Sequence, residues 1–281
     1  MDAIGYAEQT SEIFILSDSF LRIKELIDDD SSTIDDISDV ILVDPALAGT
    51  ILKLANSSFF NYPGKIDTVS KAVLVLGITE IYNLVIAYFS TKAFKECIAE
   101  QSYLEDFWER SVDCALLIKY LGCRLNFPNA ERLFILGLLH NIGELVVQQV
   151  SPDKVTLCLS DDISYLPWVK QQDLLAFTYG ECSAELLKLW QLPYSLIVPI
   201  LSQDKADLNQ RNKESQLLYI AKRIMVQQRI FDKEELKRLI DDEQLVELGI
   251  DKDMVGEATN YCDLERLSVL SILSPSASMI F

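Results

Sequence analysis

The 281 residues contain one histidine. His140 sits in the apolar run LFILGLLHNIGELVV, Leu133 to Val147, followed directly by Asn141 and four residues on by Glu144. Imidazole is the commonest ligand for transition metals, and catalytic zinc or iron sites are usually built from about three protein ligands plus an open position for water. His140 supplies one. Glu144 would share its face of a continuous helix, since residues four apart are helical neighbours, but two donors are too few for a catalytic centre. The expectation from these residues is no resident metal, no cofactor and no catalytic residue.

Thiol chemistry is no better provided for. Cys97, Cys114, Cys123, Cys158, Cys182 and Cys262 are widely spaced and form no C-x-x-C pair, so neither a zinc knuckle nor a dithiol redox motif is present. A nucleophilic thiolate would need a base, and His140 is the one candidate. The cysteines read as reduced core residues.

The formal charge of −18 and pI near 4.4 oppose broad contact with phosphate backbones, which depends on Lys and Arg displacing counterions. Nucleic-acid polymers are excluded as expected partners. The clusters Asp28-Asp29-Asp30, Asp35-Asp36, Asp161-Asp162 and Asp241-Asp242 read as solvated loop and helix-end charges. The opening MDAIGYAEQT has no charged leader ahead of a long apolar run, and Gly, Asn, Glu or Thr interrupts each apolar segment before the roughly 20 residues a span needs. A cytoplasmic protein without a membrane partner is expected.

The elements that must position these side chains read as helices almost throughout. Ser17 or Asp18 can cap a helix carrying Phe20, Ile23 and Ile27, and Ser32 with Asp35 forms a variant capping box before Ile34, Ile37 and Ile41. Asp44-Pro45 is a strong start signal, because the carboxylate accepts orphan N–H groups and proline at the first helical position has none to lose. That helix should end near Asn56, with Asn56, Ser57 and Ser58 shaping a turn before Phe59 and Phe60. Gly77 divides Thr68–Leu76 from Thr79–Cys97. Tyr103–Leu125, a His140 helix ending near Val150, and Asp153–Leu159, Pro167–Phe177, Gly180–Leu192 and Pro193–Ser202 follow.

Gly137 and Gly143, three residues either side of His140, provide room for close helix approach, and Phe59, Phe60, Phe107, Trp108 and Trp190 read as core. The polar stretch Gln203 to Glu214 marks a boundary, beyond which Ser215–Phe231, Lys233–Leu248 and Lys252–Leu273 read as helices. The short tail carries apolar Met279, Ile280 and Phe281. No strand pattern emerges, so the fold class is all-α, with a domain over 1–205 and a helical extension over 206–281.

The segment DPALAGTILKLANSSFFNYPGKIDTVSKAVLVLGITEI, Asp44 to Ile81, closely resembles the opening motif of HDOD domains, the signal-output relatives of the HD phosphohydrolases. LFILGLLHNIGEL resembles their LAGLLHDIGKL segment, and the likeness continues through FWERS, Phe107 to Ser111, and ELLKLWQLP, Glu185 to Pro193. It covers about Ser17 to Asp204. The resemblance implies an HD-like multi-helix bundle with additional C-terminal helices, serving in bacteria as an output or regulatory module.

Catalytic HD relatives hold metal with an early histidine, a His-Asp pair and later histidine or aspartate ligands. By resemblance the early position is Arg110, the pair is His140-Asn141, and the later position is Tyr179. A guanidinium has no lone pair to give and carries a fixed positive charge, and a neutral amide cannot balance a dication as a carboxylate does. With Glu144, these residues outline a vestigial HD site or ligand pocket. The expected function is non-catalytic signalling through a protein partner. The alternatives are a degenerate phosphohydrolase acting on a nucleotide or phosphodiester, and a sensor in which Arg110, Asn141 and His140 hold a small anion or nucleotide. Oligomeric state is not encoded in any of these patterns.

Overall fold

The computed structural model describes residues 1–14, 16–29, 31–57, 60, 62–97, 100–128, 130–159, 166–205, 212–229 and 242–273. Among them are sixteen helices and no strand. They divide into two compact units. One comprises Met1–Phe14 with Asp113–Cys262, and the other Ile15–Val112 with Asp263–Phe281.

The second unit begins with α2 (Asp18–Asp28), α3 (Ile34–Leu42), α4 (Pro45–Ala55), α5 (Val69–Leu76) and α6 (Ile78–Cys97), and includes the start of α7 (Gln101–Arg124). Local chemistry sets each boundary. Ser17 caps α2, and Asp44 Oδ1 accepts from the Ala46 and Leu47 amides at 3.0 and 3.1 Å while Pro45 occupies the first helical position. The capping box on α3 lies one residue later than expected: Thr33 and Asp36 exchange bonds, because Thr33 has the extended backbone a cap needs. Asn56 ends α4 and also clamps the following loop, donating to the Leu52 and Ile66 carbonyls at 2.7 Å each and accepting from the Ile66 amide at 2.9 Å.

Gly77 has φ of +87°, a conformation with little cost only for glycine, and it separates α5 from α6 at a bend of 118°. The core of this unit gathers Phe20, Ile23, Ile37, Ile41, Ile51, Phe94, Phe107 and Trp108, all essentially fully buried. Phe60 is half-buried, and Phe59, Ser58 and Asp30 lie outside the described residues.

The first unit contains α1 (Ala3–Ser11), the remainder of α7, α8 (Ala130–Leu139), α9 (Gly143–Val150), α10 (Pro152–Leu159), α11 (Pro167–Leu175), α12 (Tyr179–Leu189), α13 (Tyr194–Ser202), α14 (Lys213–Arg229), α15 (Asp242–Leu248) and the start of α16 (Lys252–Leu273). α12 is its hub and packs against α1, α9 and α13. α1 lies ahead of the first helix that the sequence reading placed, after Ser17. Asp2 caps it, Tyr6, Ala7 and Thr10 are its buried stripe, and the Tyr6 hydroxyl meets Ser151 Oγ at 3.0 Å. Trp190 is buried and donates its indole N–H to the Phe14 carbonyl at 2.8 Å.

Gln203 and Asp204 open the polar stretch after α13 yet pack inside this unit. Gln203 is fully buried and Asp204 pairs with the buried Lys222. Residues 206–211, most of the proposed helix Lys233–Leu248, the pairs Asp161-Asp162 and Asp241, and the tail with Met279, Ile280 and Phe281 lie outside the described residues.

Among the described residues, Arg132–Val150 is long and apolar enough to cross a membrane by length and composition, contrary to the sequence expectation, and 78% of it is buried within the protein. The Gly, Asn and Glu it contains are too few to lower its apolarity. Their effect is to divide it at a turn, as described next.

Candidate functional site

The HD-like segment is two helices and not one. α8 stops at Leu139, His140 to Ile142 form a turn, and α9 starts at Gly143. Tight bonds close the turn, from the Ile142 amide to the Leu139 carbonyl at 3.3 Å and from the Glu144 amide to the Asn141 carbonyl at 2.9 Å. The expectation of one continuous helix through His140 and Glu144 is therefore corrected: a tightened turn lies between them.

His140 is 7% exposed, and its Nδ1 lies 2.6 Å from the Gly137 carbonyl. A carbonyl only accepts, so Nδ1 carries the proton and the lone pair of neutral imidazole is on Nε2. The His140 carbonyl accepts from Gln203 Nε2 at 2.7 Å. Backbone and ring are thus held separately, one by Gln203, the residue that caps the C-terminus of α13, and the other by α8.

Asn141 Nδ2 donates to Glu144 Oε2 at 2.8 Å, and Glu144 is 1% exposed. The amide at the position of the family's aspartate thus faces a buried carboxylate as its hydrogen-bond donor. Two carboxylates there would repel each other unless a cation or proton intervened.

Tyr179 is the first residue of α12, inside the capping box formed by Thr178 and Glu181. It is 1% exposed, its amide donates to Gln171 Oε1 at 2.9 Å, and its carbonyl accepts from Ser183 Oγ at 2.8 Å. Ser183 also accepts from the Gly143 amide at 2.8 Å. A Cβ on Gly143 would lie 2.3 Å from the Tyr179 carbonyl oxygen. On the other side of the turn, a Cβ on Gly137 would lie 2.5 Å from Ala115 Cα in α7. The two glycines therefore permit backbone-to-backbone contact of α9 with α12 and of α8 with α7.

Sequence reasoning took Cys158 for core. The structure puts this half-buried thiol beside the site, near Tyr179. Burial pushes the thiol above its ordinary value. The Tyr179 hydroxyl and the Lys170 and Lys154 ammoniums oppose the rise, and Glu144 adds to it. A thiol so disposed is protonated at neutral pH and is not an activated nucleophile. Ser183, Gln203 and Cys158 were not singled out beforehand. Ser183 carried a weak signal as a small polar residue on an otherwise apolar helix face, four residues after Tyr179. Gln203 carried none, because it opens a stretch that looks solvated.

His140, Asn141, Glu144 and Tyr179 thus belong to one unit around the α8–α9 turn and the start of α12. Arg110 belongs to the other unit. It lies on α7, donates from Nε to the Asp106 carbonyl at 3.2 Å, and has its guanidinium 5.9 Å from the centre of the Phe107 ring. Among the described residues no three His, Cys, Asp or Glu side chains are grouped to hold a metal ion. The metal centre of catalytic HD proteins does not fit this donor set: one imidazole remains, and the nearby carboxylate is hydrogen-bonded to an amide.

Residues 13–206 match the HDOD domain family. An uncharacterized protein of Treponema pallidum (strain Nichols) is 26% identical over 198 residues, which is 69% of this chain and 38% of that protein. The chain thus spans well under half the length of that relative. Among solved structures, a "Putative phosphohydrolase" from Shewanella amazonensis SB2B is 24% identical with a TM-score of 0.71, covering 97% of this chain and 98% of the other. An HDOD domain protein with unknown function from Geobacter sulfurreducens is 20% identical with a TM-score of 0.66, covering 99% and 98%. A "Putative signal transduction protein" from Marinobacter aquaeolei VT8 is 24% identical with a TM-score of 0.69, covering 95% and 60%. At these identities the structures establish the shared all-helical fold.

Proposed function

Because the chain belongs to the HDOD family, we propose that it is a non-catalytic signalling module that acts by docking a protein partner. The observation that carries this reading is the Asn141–Glu144 hydrogen bond. It supplies a neutral amide donor where a metallohydrolase needs a further anionic ligand, and it leaves His140 as the only imidazole. An HD scaffold with that substitution retains a helical surface and lacks the means to activate water. The test is a turnover assay of the purified chain on nucleotides and cyclic dinucleotides with Mn²⁺, Mg²⁺, Fe²⁺ or Zn²⁺ present. Background rates with every metal are expected. Multiple turnover that disappears in His140→Ala overturns the reading.

One observation favours a second reading, a degenerate phosphohydrolase. His140 donates Nδ1–H to a backbone carbonyl, which is also how a ligating histidine is commonly oriented for metal binding through Nε2. Calorimetric titration distinguishes the two. Stoichiometric metal uptake abolished by His140→Ala supports the second, and absence of uptake supports the first. The sensor reading for a small anion or nucleotide is weaker, because the Arg110 side chain already engages the Asp106 carbonyl and the Phe107 ring, and Asn141 already engages Glu144.

A further inference from the structure

Between Ser17 and Asp44 the chain carries nine carboxylates and two cations, a net −7 within a protein of net −18. Both cations are neutralised inside α2, Arg22 by Glu25 at 3.1 Å and Lys24 by Asp28 at 2.7 Å. α3 has three aspartates and no cation. Asp36 is used in the capping box, whereas Asp35 and Asp39 are exposed and have no ion-pair partner among the described residues.

Apolar exposure accompanies this charge. Val43 is 75% exposed, Leu42 54% and Leu21 48%. Asp35, Asp39 and Leu42 follow one another at four and three residues, so they occupy one face of α3, with Val43 at its end. α2 and α3 pack against each other across the short connection 29–33, the arrangement of an antiparallel helical hairpin. The N-terminal end of α2, with Leu21, is then level with the C-terminal end of α3, with Leu42 and Val43. The hairpin exposes Leu21, Leu42 and Val43 at its open end, with Asp18 beside Leu21, and carries Asp35 and Asp39 on α3 towards its tip.

We propose that this hairpin face docks a basic amphipathic helix of a protein partner, its apolar residues over Leu21, Leu42 and Val43 and its Lys or Arg residues towards Asp35 and Asp39. Charge complementarity selects that occupant. An anionic lipid surface or a nucleic acid would be repelled by the carboxylates, and a second copy of this chain would bring a like-charged face. A helix laid on a helical surface meets it with residues at i, i+3, i+4 and i+7, the spacing on which α3 displays Asp35, Asp39 and Leu42.

The inference rests on the reading of the chain as a protein-docking module, and its test uses no nucleotide. Binding of the full chain is measured by fluorescence anisotropy with a synthetic helical peptide of about 18 residues, five turns, leucines on one half of a face and lysines on the other. A peptide of identical composition and shuffled spacing is the control. The amphipathic peptide is expected to bind about tenfold more tightly than the shuffled one. The Leu42→Ser/Val43→Ser variant is expected to weaken it about fivefold, and Asp35→Asn/Asp39→Asn to weaken it and flatten its salt dependence. All four positions are exposed, and thermal melting establishes that the variants fold. No binding, equal binding of both peptides, or unchanged binding by either variant overturns the proposal. Peptide docking together with nucleotide turnover would sink the non-catalytic reading and leave this surface standing.

Discussion

Asn141 and Glu144 are joined across the α8–α9 turn by a 2.8 Å hydrogen bond from amide to buried carboxylate. The pairing exchanges a charge problem for a neutral contact. Asn141→Asp would set a second carboxylate against Glu144, and like charges at that distance push one of the two pKa values up. In that variant the native pair binds more protons than the unfolded chain above about pH 4, so its stability relative to wild type falls as pH rises through the raised value. The variant should melt close to wild type at about pH 4 and clearly below it at neutral pH. Full rescue by a divalent cation at neutral pH would mean that a metal pocket persists.

Gly143 and Gly137 are held by backbone and not by flexible side chains. Alanine at either position gains about 1 kcal/mol of helix propensity but places a Cβ 2.3 Å from the Tyr179 carbonyl oxygen or 2.5 Å from Ala115 Cα. Overpacking of this kind costs roughly 1–3 kcal/mol or more. Each variant should be destabilised in urea unfolding. Gly49 has nothing within 4 Å of its would-be Cβ, so Gly49→Ala is the control and should be stabilised.

The Asn56 side chain satisfies two carbonyls and one amide. Asn56→Ala should cost about 2–3 kcal/mol, since it strips partners from partly buried groups in addition to removing hydrogen bonds. Rapid proteolysis in the 57–66 segment, measured by limited digestion, should accompany the loss. A variant as resistant as wild type would show that other contacts hold the loop.

Lys222 and Asp204 form a buried ion pair, and Lys222 also stands 5.2 Å from the centre of the Trp168 ring. Burial pulls the lysine below its ordinary range, with Asp204 opposing. Removing one partner strands the other, so Lys222→Met should cost about 3–5 kcal/mol, and adding Asp204→Asn should restore part of it. A double variant no better than the single would place the loss in packing and not in charge.

Alkaline pH should weaken the protein. Burial raises the Cys114 and Cys182 thiols above their ordinary value of 9.0. Between that value and the raised one the native state binds more protons than the unfolded state, so stability falls as pH climbs past about 9. Lys222, whose value is lowered, contributes a slope of opposite sign below its unfolded value of 10.5. Cys114→Ala/Cys182→Ala should therefore flatten the decline in denaturation midpoint between about pH 8.5 and 10. An unchanged slope would remove the thiols as its cause.

The boundaries of α4 and α5 could be read residue by residue because their determinants are local: Asp44 and Pro45 at one start, Thr68 at the next, Gly77 at a stop. α1 was not legible, since its short buried stripe of Tyr6, Ala7 and Thr10 acquires meaning only against α9 and α12. The capping box on α3 was misread by one residue, because Ser32 and Thr33 offer the same hydroxyl and backbone conformation alone chooses between them.

The residue types of the site were likewise determined by sequence. One histidine, followed by Asn141, bounds the available ligand chemistry whatever the fold, because donor atoms cannot be supplied by geometry. Their arrangement was decided by tertiary structure. The α8–α9 break separates His140 from the helix of Glu144, Arg110 lies in the other compact unit, and Gln203, Ser183 and Cys158 reach the site from distant parts of the chain. Hydrogen bonds between residues tens of positions apart depend on how helices pack, and a pattern that repeats every three or four residues carries no information about which helix meets which.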